Sequence, residues 1–512
     1  MAASTEASSR GGGVGVGQNA PIITSLLDTD LYKLTMLQAV RAHFPTALVS
    51  FKFTNRSASS MSFTHAAFVD IQEQIARLAH LRLSSEEALY LKQNCPYFTQ
   101  HFLHWLQHDF SFRPQEQVKL TFVPSDDDQG RGQISLETHG SWADTILYEV
   151  PLMAIISEVY FRTVDTHWDL RSQSSLAAHK AHRLIAAGCV FSDFGTRRRR
   201  SFATHKAVIQ GLIAGSAQAT QGPAPAGQPG KLLGTSNVLL AKIFGLTPIG
   251  TMAHEWFMGI GAALGYPHAS QAGLNTHLRA LQLWDDIYAP PPHGHFTPTS
   301  PAHDLTVALT DTFSTAVFWD ELLLGDAPGS DLAASASSSS PSLAAAREAG
   351  LEIVKRWRAI RQDSGDSKAY AREAVRRYKS AGIDPKTKTI IFSDGLDVDK
   401  CIDLLKYSQE IGIGAGFGVG TSFTNDFMRL PNSETPNPHA DPNAPLSSEN
   451  PEAEPRPHAG TQKSKALNMV IKLGSIDGKP TVKISDELSK NTGVKEEVVA
   501  VKARFGLEGG ST

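Results

Sequence analysis

Gly188-Cys189-Val190-Phe191-Ser192 runs directly into Asp193-Phe194-Gly195-Thr196-Arg197. A short strand-like run ends in a polar, glycine-containing cluster, and a helical pattern with Phe202, Ile209 and Leu212 follows. The unit recurs along the chain. Leu232-Leu233 ends in Gly234-Thr235-Ser236-Asn237, ahead of a helix closed by Gly245. Thr247 to Gly250 ends in Thr251-Met252-Ala253-His254-Glu255, and Leu305 to Leu309 in Thr310-Asp311-Thr312. Trp357 to Ile360 ends in Arg361-Gln362-Asp363-Ser364-Gly365-Asp366. Lys388 to Phe392 ends in Ser393-Asp394-Gly395-Leu396-Asp397, and Gly414 to Gly418 in Gly420-Thr421. Strands alternating with helices imply a parallel sheet. Polar residues at the C-terminal end of every strand predict a closed α/β barrel, whose loops at that face build one site. A doubly wound open sheet is the alternative, but it gathers polar groups at one switch point.

Residues 21–160 lack this rhythm. They read as a helix around Asp28 to Arg41, a strand at Leu48 to Thr54, and helices near Val69 to His80 and Ser85 to Gln93. Alternation returns at 467–485 with Val470, Lys472, Val482 and Ile484. The two segments are expected to pack together as a smaller α+β domain. Four stretches look different. Residues 1–20 are rich in Gly, Ser and Ala, 217–230 in Pro and Gly, 326–348 hold a serine run, and 431–462 hold eight of the 28 prolines. Such segments cannot bury enough surface to offset ordering entropy, which predicts a disordered tail and three surface insertions. The expected order is a tail (1–20), the small domain (21–160), the barrel (161–430), an insert (431–462) and a return to the small domain (463–512).

The composition narrows the function. The chain has 512 residues, 41% hydrophobic and 19% charged, which supports a packed core. Lys plus Arg number 48 against 51 Asp plus Glu, a net charge of −3, which opposes a dedicated nucleic-acid binder. Cys95, Cys189 and Cys401 are too few and too far apart for a disulfide framework and fit a reducing compartment. The best apolar run, Val150 to Ile156, is far short of the roughly 20 residues a membrane span needs. No secretory signal precedes it. A cytoplasmic enzyme is expected, with a nuclear pool also allowed.

Chemistry collects at the strand ends. His254 reads as a nucleophile, a general acid/base or a hydrogen-bonded structural histidine. Asp363 and Asp394 could hold Mg²⁺ directly or through water, accept bonds from vicinal ribose hydroxyls, or simply cap helices. Gly414 to Thr421 offers backbone N–H groups to a phosphate, and without a following Lys it is not a P-loop. Arg197 to Arg200 lead into a barrel helix, a context for anionic substrates, with one or two facing the site and the others structural. Leu27 to Lys33 and Phe53 to Arg56 read alone as ordinary surface or core positions. No strand-end motif carries a lysine for a Schiff base, which opposes a phosphosugar lyase.

Taken together, LLDTDLYKLTM (26–36), FTNRS (53–57), GSWADTILYEVPL (140–152), FSDFGTRRRRS (191–201), LLGTSN (232–237), PIGTMAHEW (248–256), RQDSGD (361–366) and GVGTSFTNDF (418–427) resemble the nicotinate phosphoribosyltransferases, type II phosphoribosyltransferases. The resemblance implies an irregular α/β barrel plus an α+β domain. It also implies union of nicotinate with 5-phosphoribosyl 1-diphosphate, giving nicotinate mononucleotide and diphosphate, coupled to ATP hydrolysis, with Mg²⁺ bridging. His254 is implied as the histidine phosphorylated by ATP. Phe194 is implied to stack on the pyridine ring, with Tyr32 on its other face, supplied across a homodimer interface. Thr251 and Arg361 match nicotinate contacts, with Arg197 near the substrate anions. Asp363, Asp394 and Thr421 match ribose, phosphate or diphosphate contacts, Arg56 reaches the phosphates from the neighbouring subunit, and Lys472 is a weaker candidate. Neither nucleic acid nor membrane is an expected partner. A nicotinamide-using relative is the nearest rival, set apart by the cationic pocket near Arg361.

Overall fold

The computed structural model describes residues 20–125, 130–221, 230–267, 275–289, 300–323, 341–430, 435–436, 440–443 and 462–507. Its strands, in chain order, are β1 (Leu48–Asn55), β2 (Phe63–Thr64), β3 (Val118–Pro124), β4 (Arg131–Ser141), β5 (Val190–Asp193), β6 (Lys231–Thr235), β7 (Thr247–Pro248), β8 (Val307–Leu309), β9 (Ala359–Gln362), β10 (Thr389–Phe392), β11 (Gly414–Val419), β12 (Phe427–Met428), β13 (Lys463–Ser464), β14 (Met469–Ile476) and β15 (Lys479–Pro480).

The seven runs read as strands form one seven-stranded sheet, ordered β7-β6-β5-β11-β10-β9-β8. Every pairing in it is parallel. The sheet curls as a half-barrel whose edge strands, β7 and β8, are not paired to each other. They nevertheless approach. Thr251, three residues past β7, donates its hydroxyl to the Val307 carbonyl of β8 at 3.4 Å. The inner strands are short and β-rich, with Ile390 and Phe392 buried on β10 and all of β8 buried, as expected where helices cover a parallel sheet.

The first and last segments do pack together. In a second, antiparallel sheet ordered β15-β14-β1-β4-β2, with β3 on β4, β1 pairs with β14 from Val49↔Ile476 to Asn55↔Met469. Between the sheets lies the helix Glu149–Thr163, which contains the apolar run Val150 to Ile156, all of it buried. A helix apolar on every side belongs in a core, and this one touches both β14 and the turn at Thr196–Arg198.

Two of the expected surface insertions are shorter than their composition suggested. Residues 217–221 continue the helix Phe202–Gln221, and 341–348 open the helix Pro341–Arg356. Ala, Leu, Arg and Glu in the latter are strong helix formers, and Ala346 and Gly350 bury on its inner face. The remainder of those stretches, most of 431–462 and residues 1–19 lie outside the described residues.

Candidate active site

A cavity of about 310 Å³, within the usual ligand range, opens at the C-terminal ends of the parallel strands. Ten of the eleven residues singled out from sequence line it: Tyr32, Arg56, Phe194, Arg197, His254, Arg361, Asp363, Asp394, Thr421 and Lys472. Thr251 is the exception. Its hydroxyl spans the β7–β8 seam, and its carbonyl accepts from Thr35 Oγ1 at 2.6 Å. Tyr32 and Arg56, expected from a second subunit, also line the cavity from this chain; Asp30 bridges Asn237 and Leu31 N donates to the Ser236 carbonyl after β6, and Arg56 N donates to the Asn468 carbonyl.

His254 is the first residue of the helix His254–Leu264. Its Nδ1 lies 3.0 Å from Thr312 Oγ1, and its Nε2 lies 3.1 Å from Asp363 Oδ2 and 2.9 Å from Lys483 Nζ. The two Nε2 contacts are exclusive. With a lone pair there, Nε2 accepts from Lys483 and the ring proton sits on Nδ1 toward Thr312. With a proton there, Nε2 donates to Asp363. Burial, reinforced by Lys483, pushes the His254 pKa down to about 4, so the ring is neutral near pH 7. A neutral imidazole keeps a lone pair on one ring nitrogen, and at the edge of a cavity that pair makes it a competent nucleophile.

The two aspartate motifs resolve into one pattern. Asp366 and Asp397 are the helix caps, accepting from Ala369 N at 2.6 Å and Lys400 N at 2.8 Å. Asp363 and Asp394, three residues earlier in each motif, are released to the cavity. Burial opposes ionisation of Asp363, but Arg361 and His254 hold its carboxyl well below the ordinary value. Arg361 donates to Asp363 Oδ1 at 3.1 Å and to Ser393 Oγ at 2.8 Å, with its guanidinium 5.6 Å from the Phe194 ring. Phe194 lies against β11 because residue 418 is glycine: a Cβ there would come within 2.3 Å of the ring. Asp394 takes both oxygens to Lys490 Nζ, each at 2.8 Å.

The four arginines divide in two. Arg197 and Arg198 line the cavity, whereas Arg199 and Arg200 are fully buried. Tyr32 raises the Arg197 pKa, burial opposes it, and Glu149 and Asp30 reinforce the rise. The buried Tyr32 hydroxyl has no hydrogen-bond partner among the described residues. Arg198 falls to about 10 through burial and through its neighbours Arg197 and Arg56.

Lys483 and Lys490 also line the cavity and escaped the sequence reading, as did Arg198's place there. They come from the C-terminal segment, more than 60 residues past the last strand-end motif. One signal was present: Lys483 sits between the buried Val482 and Ile484, so alternation turns it to the opposite side. Lys472, on β14, borders the same space, and burial and Lys483 push its pKa down to about 7. Among the described residues, no three His, Cys, Asp or Glu side chains converge as a metal-holding group.

This arrangement has known counterparts. Residues 27–157 match the model of the nicotinate phosphoribosyltransferase (NAPRTase) N-terminal domain, and residues 189–320 and 341–435 match that of the nicotinate phosphoribosyltransferase (NAPRTase) family. A relative from Schizosaccharomyces pombe is 38% identical over 487 residues, spanning 95% of this chain and 98% of its own length. The nicotinate phosphoribosyltransferase of Saccharomyces cerevisiae is 36% identical over 488 residues, covering 95% of this chain and 96% of its own. The crystal structure of the nicotinate phosphoribosyltransferase from Porphyromonas gingivalis matches with a TM-score of 0.71 at 28% identity, over 95% of this chain and 100% of that one.

Proposed function

The chain belongs to the nicotinate phosphoribosyltransferase family, and on that premise we propose that it joins nicotinate to 5-phosphoribosyl 1-diphosphate, coupled to ATP hydrolysis through phosphorylated His254, as the first step of NAD salvage from nicotinate. One observation carries this reading. A neutral His254 faces a cavity walled by Arg56, Arg197, Arg198, Arg361, Lys472, Lys483 and Lys490. Such a wall suits an anionic base and a phosphorylated, diphosphate-bearing sugar in one space.

The pyridine nitrogen supplies the electron pair for the new bond to the ribose C1, while the C1–O bond breaks and diphosphate leaves with that pair. The transition state is a loosely bonded, cation-like C1, so alignment and leaving-group neutralisation matter more than a strong base. Phe194 and Tyr32 hold the ring, Arg361 and Arg197 face its carboxylate, and Thr251 holds the seam beneath. Asp363 and Asp394 take the ribose hydroxyls, and Thr421, Arg56 and the lysines take phosphate oxygens. Mg²⁺ binds through one or two carboxylates plus substrate phosphates and keeps several waters. Asp363 and Asp394 suit that role through water, since Arg361 and Lys490 already occupy them directly; the ion would neutralise diphosphate charge. In the coupling step His254 Nε2, in the tautomer with its proton on Nδ1, attacks the ATP γ-phosphorus as the bond to the β-phosphate oxygen breaks and ADP leaves with that electron pair; the ring proton stays on Nδ1, facing Thr312. A homodimer belongs to the reading, although Tyr32 and Arg56 need no second copy to reach the cavity.

The test is nicotinate mononucleotide formation with and without ATP, for the parent and for His254→Ala. ATP stimulates the parent, and the variant keeps only weak, uncoupled turnover. A variant that still responds fully to ATP sinks the phosphohistidine, and faster reaction with nicotinamide sinks the substrate assignment.

A further inference from the structure

Lys33 follows Tyr32 in the first turn of the helix Leu31–His43, yet it is completely buried. Its Nζ meets Glu149 Oε2 at 2.5 Å and also Glu255 Oε2. Glu255 is the residue after His254, and its other oxygen accepts from Trp142 Nε1 at 2.7 Å. Glu149 opens the buried helix between the two sheets, and its other oxygen accepts from Arg197 at 3.3 Å. Two cations and two carboxylates therefore form one chain of contacts, Glu255–Lys33–Glu149–Arg197, which sums to zero charge when all four are ionised. Of the four, Arg197 alone lines the cavity.

Burial works to neutralise Lys33, but Glu149 and Glu255 outweigh it and raise its pKa. In a medium of low dielectric, the sign of such a cluster is felt strongly at its one open end. With Lys33 in place, the carboxylates are shared, and the 3.3 Å contact leaves much of the Arg197 charge toward the cavity. Without it, Glu149 would be left to Arg197 alone, and the cluster would become negative.

We propose that Lys33 is a positioning residue that governs how much of the Arg197 charge meets the substrate: by holding Glu149 and Glu255 it leaves Arg197 to the carboxylate of the ring. This rests on the nicotinate reaction proposed above. Neither Lys33 nor Glu149 lines the cavity, and the hydrogen-bonded link from them to it is Arg197.

The experiment compares parent, Lys33→Met, Glu149→Gln and the double variant by steady-state kinetics. Lys33→Met raises the nicotinate KM about tenfold with kcat changed less than about threefold, and adding Glu149→Gln restores KM to within about threefold. Glu149→Gln alone lowers the nicotinate KM, because it leaves the cluster positive. Single variants that both raise KM, or a double no better than Lys33→Met, overturn the proposal. If Lys33→Met does not fold, Glu149→Gln still decides by the sign of its KM shift, and Lys33→Arg, which keeps the charge, keeps the parent KM. If the parent makes no nicotinate mononucleotide, the reaction assignment falls alone. Benzoate, an aromatic carboxylate, titrated calorimetrically then reads the cluster: Lys33→Met binds it more weakly than the parent and the double variant restores binding; equal binding by all rejects the proposal.

Discussion

Arg197 and Arg198 stand beside Arg199 and Arg200 in the chain, and the two pairs share a side chain and little else. Arg199 forms a bidentate pair with Asp28 at 2.7 and 2.6 Å. Arg200 donates to Asn425 at 2.8 Å and Ser464 at 2.7 Å, with its guanidinium 4.1 Å from the Phe161 ring centroid and 4.3 Å from that of Phe427. Both are sealed in. Arg197 and Arg198 instead face a cavity, and for Arg198 the strongest charged neighbours are two other arginines. Arg199 has its counter-charge on Asp28 and Arg200 is closed in by neutral acceptors and rings, so both belong to the fold, whereas Arg197 meets Glu149 beside the open cavity. Arg198, crowded by like charge, is most stable when an anion joins it. The turn at Thr196–Arg198 separates the two fates, because the chain leaves it extended at Arg199 and swings the next side chains inward.

The largest effect expected from breaking this contrast is on stability. Arg199→Met strands Asp28 inside the fold, and removing one partner of a buried pair costs about 3–5 kcal/mol. Urea unfolding reads it; a loss under about 1 kcal/mol, the value of a surface pair, would put Arg199 in the wrong class. Next comes Arg197→Ala, which loses roughly 100-fold in kcat/KM for nicotinate, as removal of a desolvated charge contact does, while unfolding stays within about 1 kcal/mol of the parent. A matching loss of stability would erase the distinction between the pairs.

The smallest effect is in pH. His254 has a folded pKa of about 4, below the ordinary 6.5. Between these values the unfolded chain takes up a proton that the fold refuses, so stability rises with pH there. The contribution is complete above pH 6.5 and disappears as pH falls toward 4. His254→Asn should therefore flatten the acid limb of the stability curve, and parallel curves for parent and variant would show that burial does not disfavour the imidazolium.

The strand ends were legible because a parallel strand under helices has little room for polar residues except where it emerges. Each of the seven runs became a strand, and the site residues after them converge. The helix at 341–348 was misread because a neighbouring serine run coloured the whole stretch, although its Ala, Arg and Glu already favoured helix. Lys483 and Lys490 were missed because their role comes from the C-terminal segment folding back onto the strand ends, where Ile484 bridges Phe313 and Lys490 reaches Asp394. Local pattern does not encode such closure.

By itself the sequence determined the strand–helix alternation, the strand-end chemistry at His254, Arg361, Asp363 and Asp394, and the presence of an unusual basic run. Periodicity and turn chemistry are local, so a single chain displays them. Only the tertiary structure decided which arginines are sealed and which look outward, which aspartates cap helices and which are released, and that Tyr32 and Arg56 line the cavity beside Phe194 and Arg361. Those outcomes depend on which counter-charge stands opposite each side chain, and that partner lies far away in sequence, as Asp28 does from Arg199.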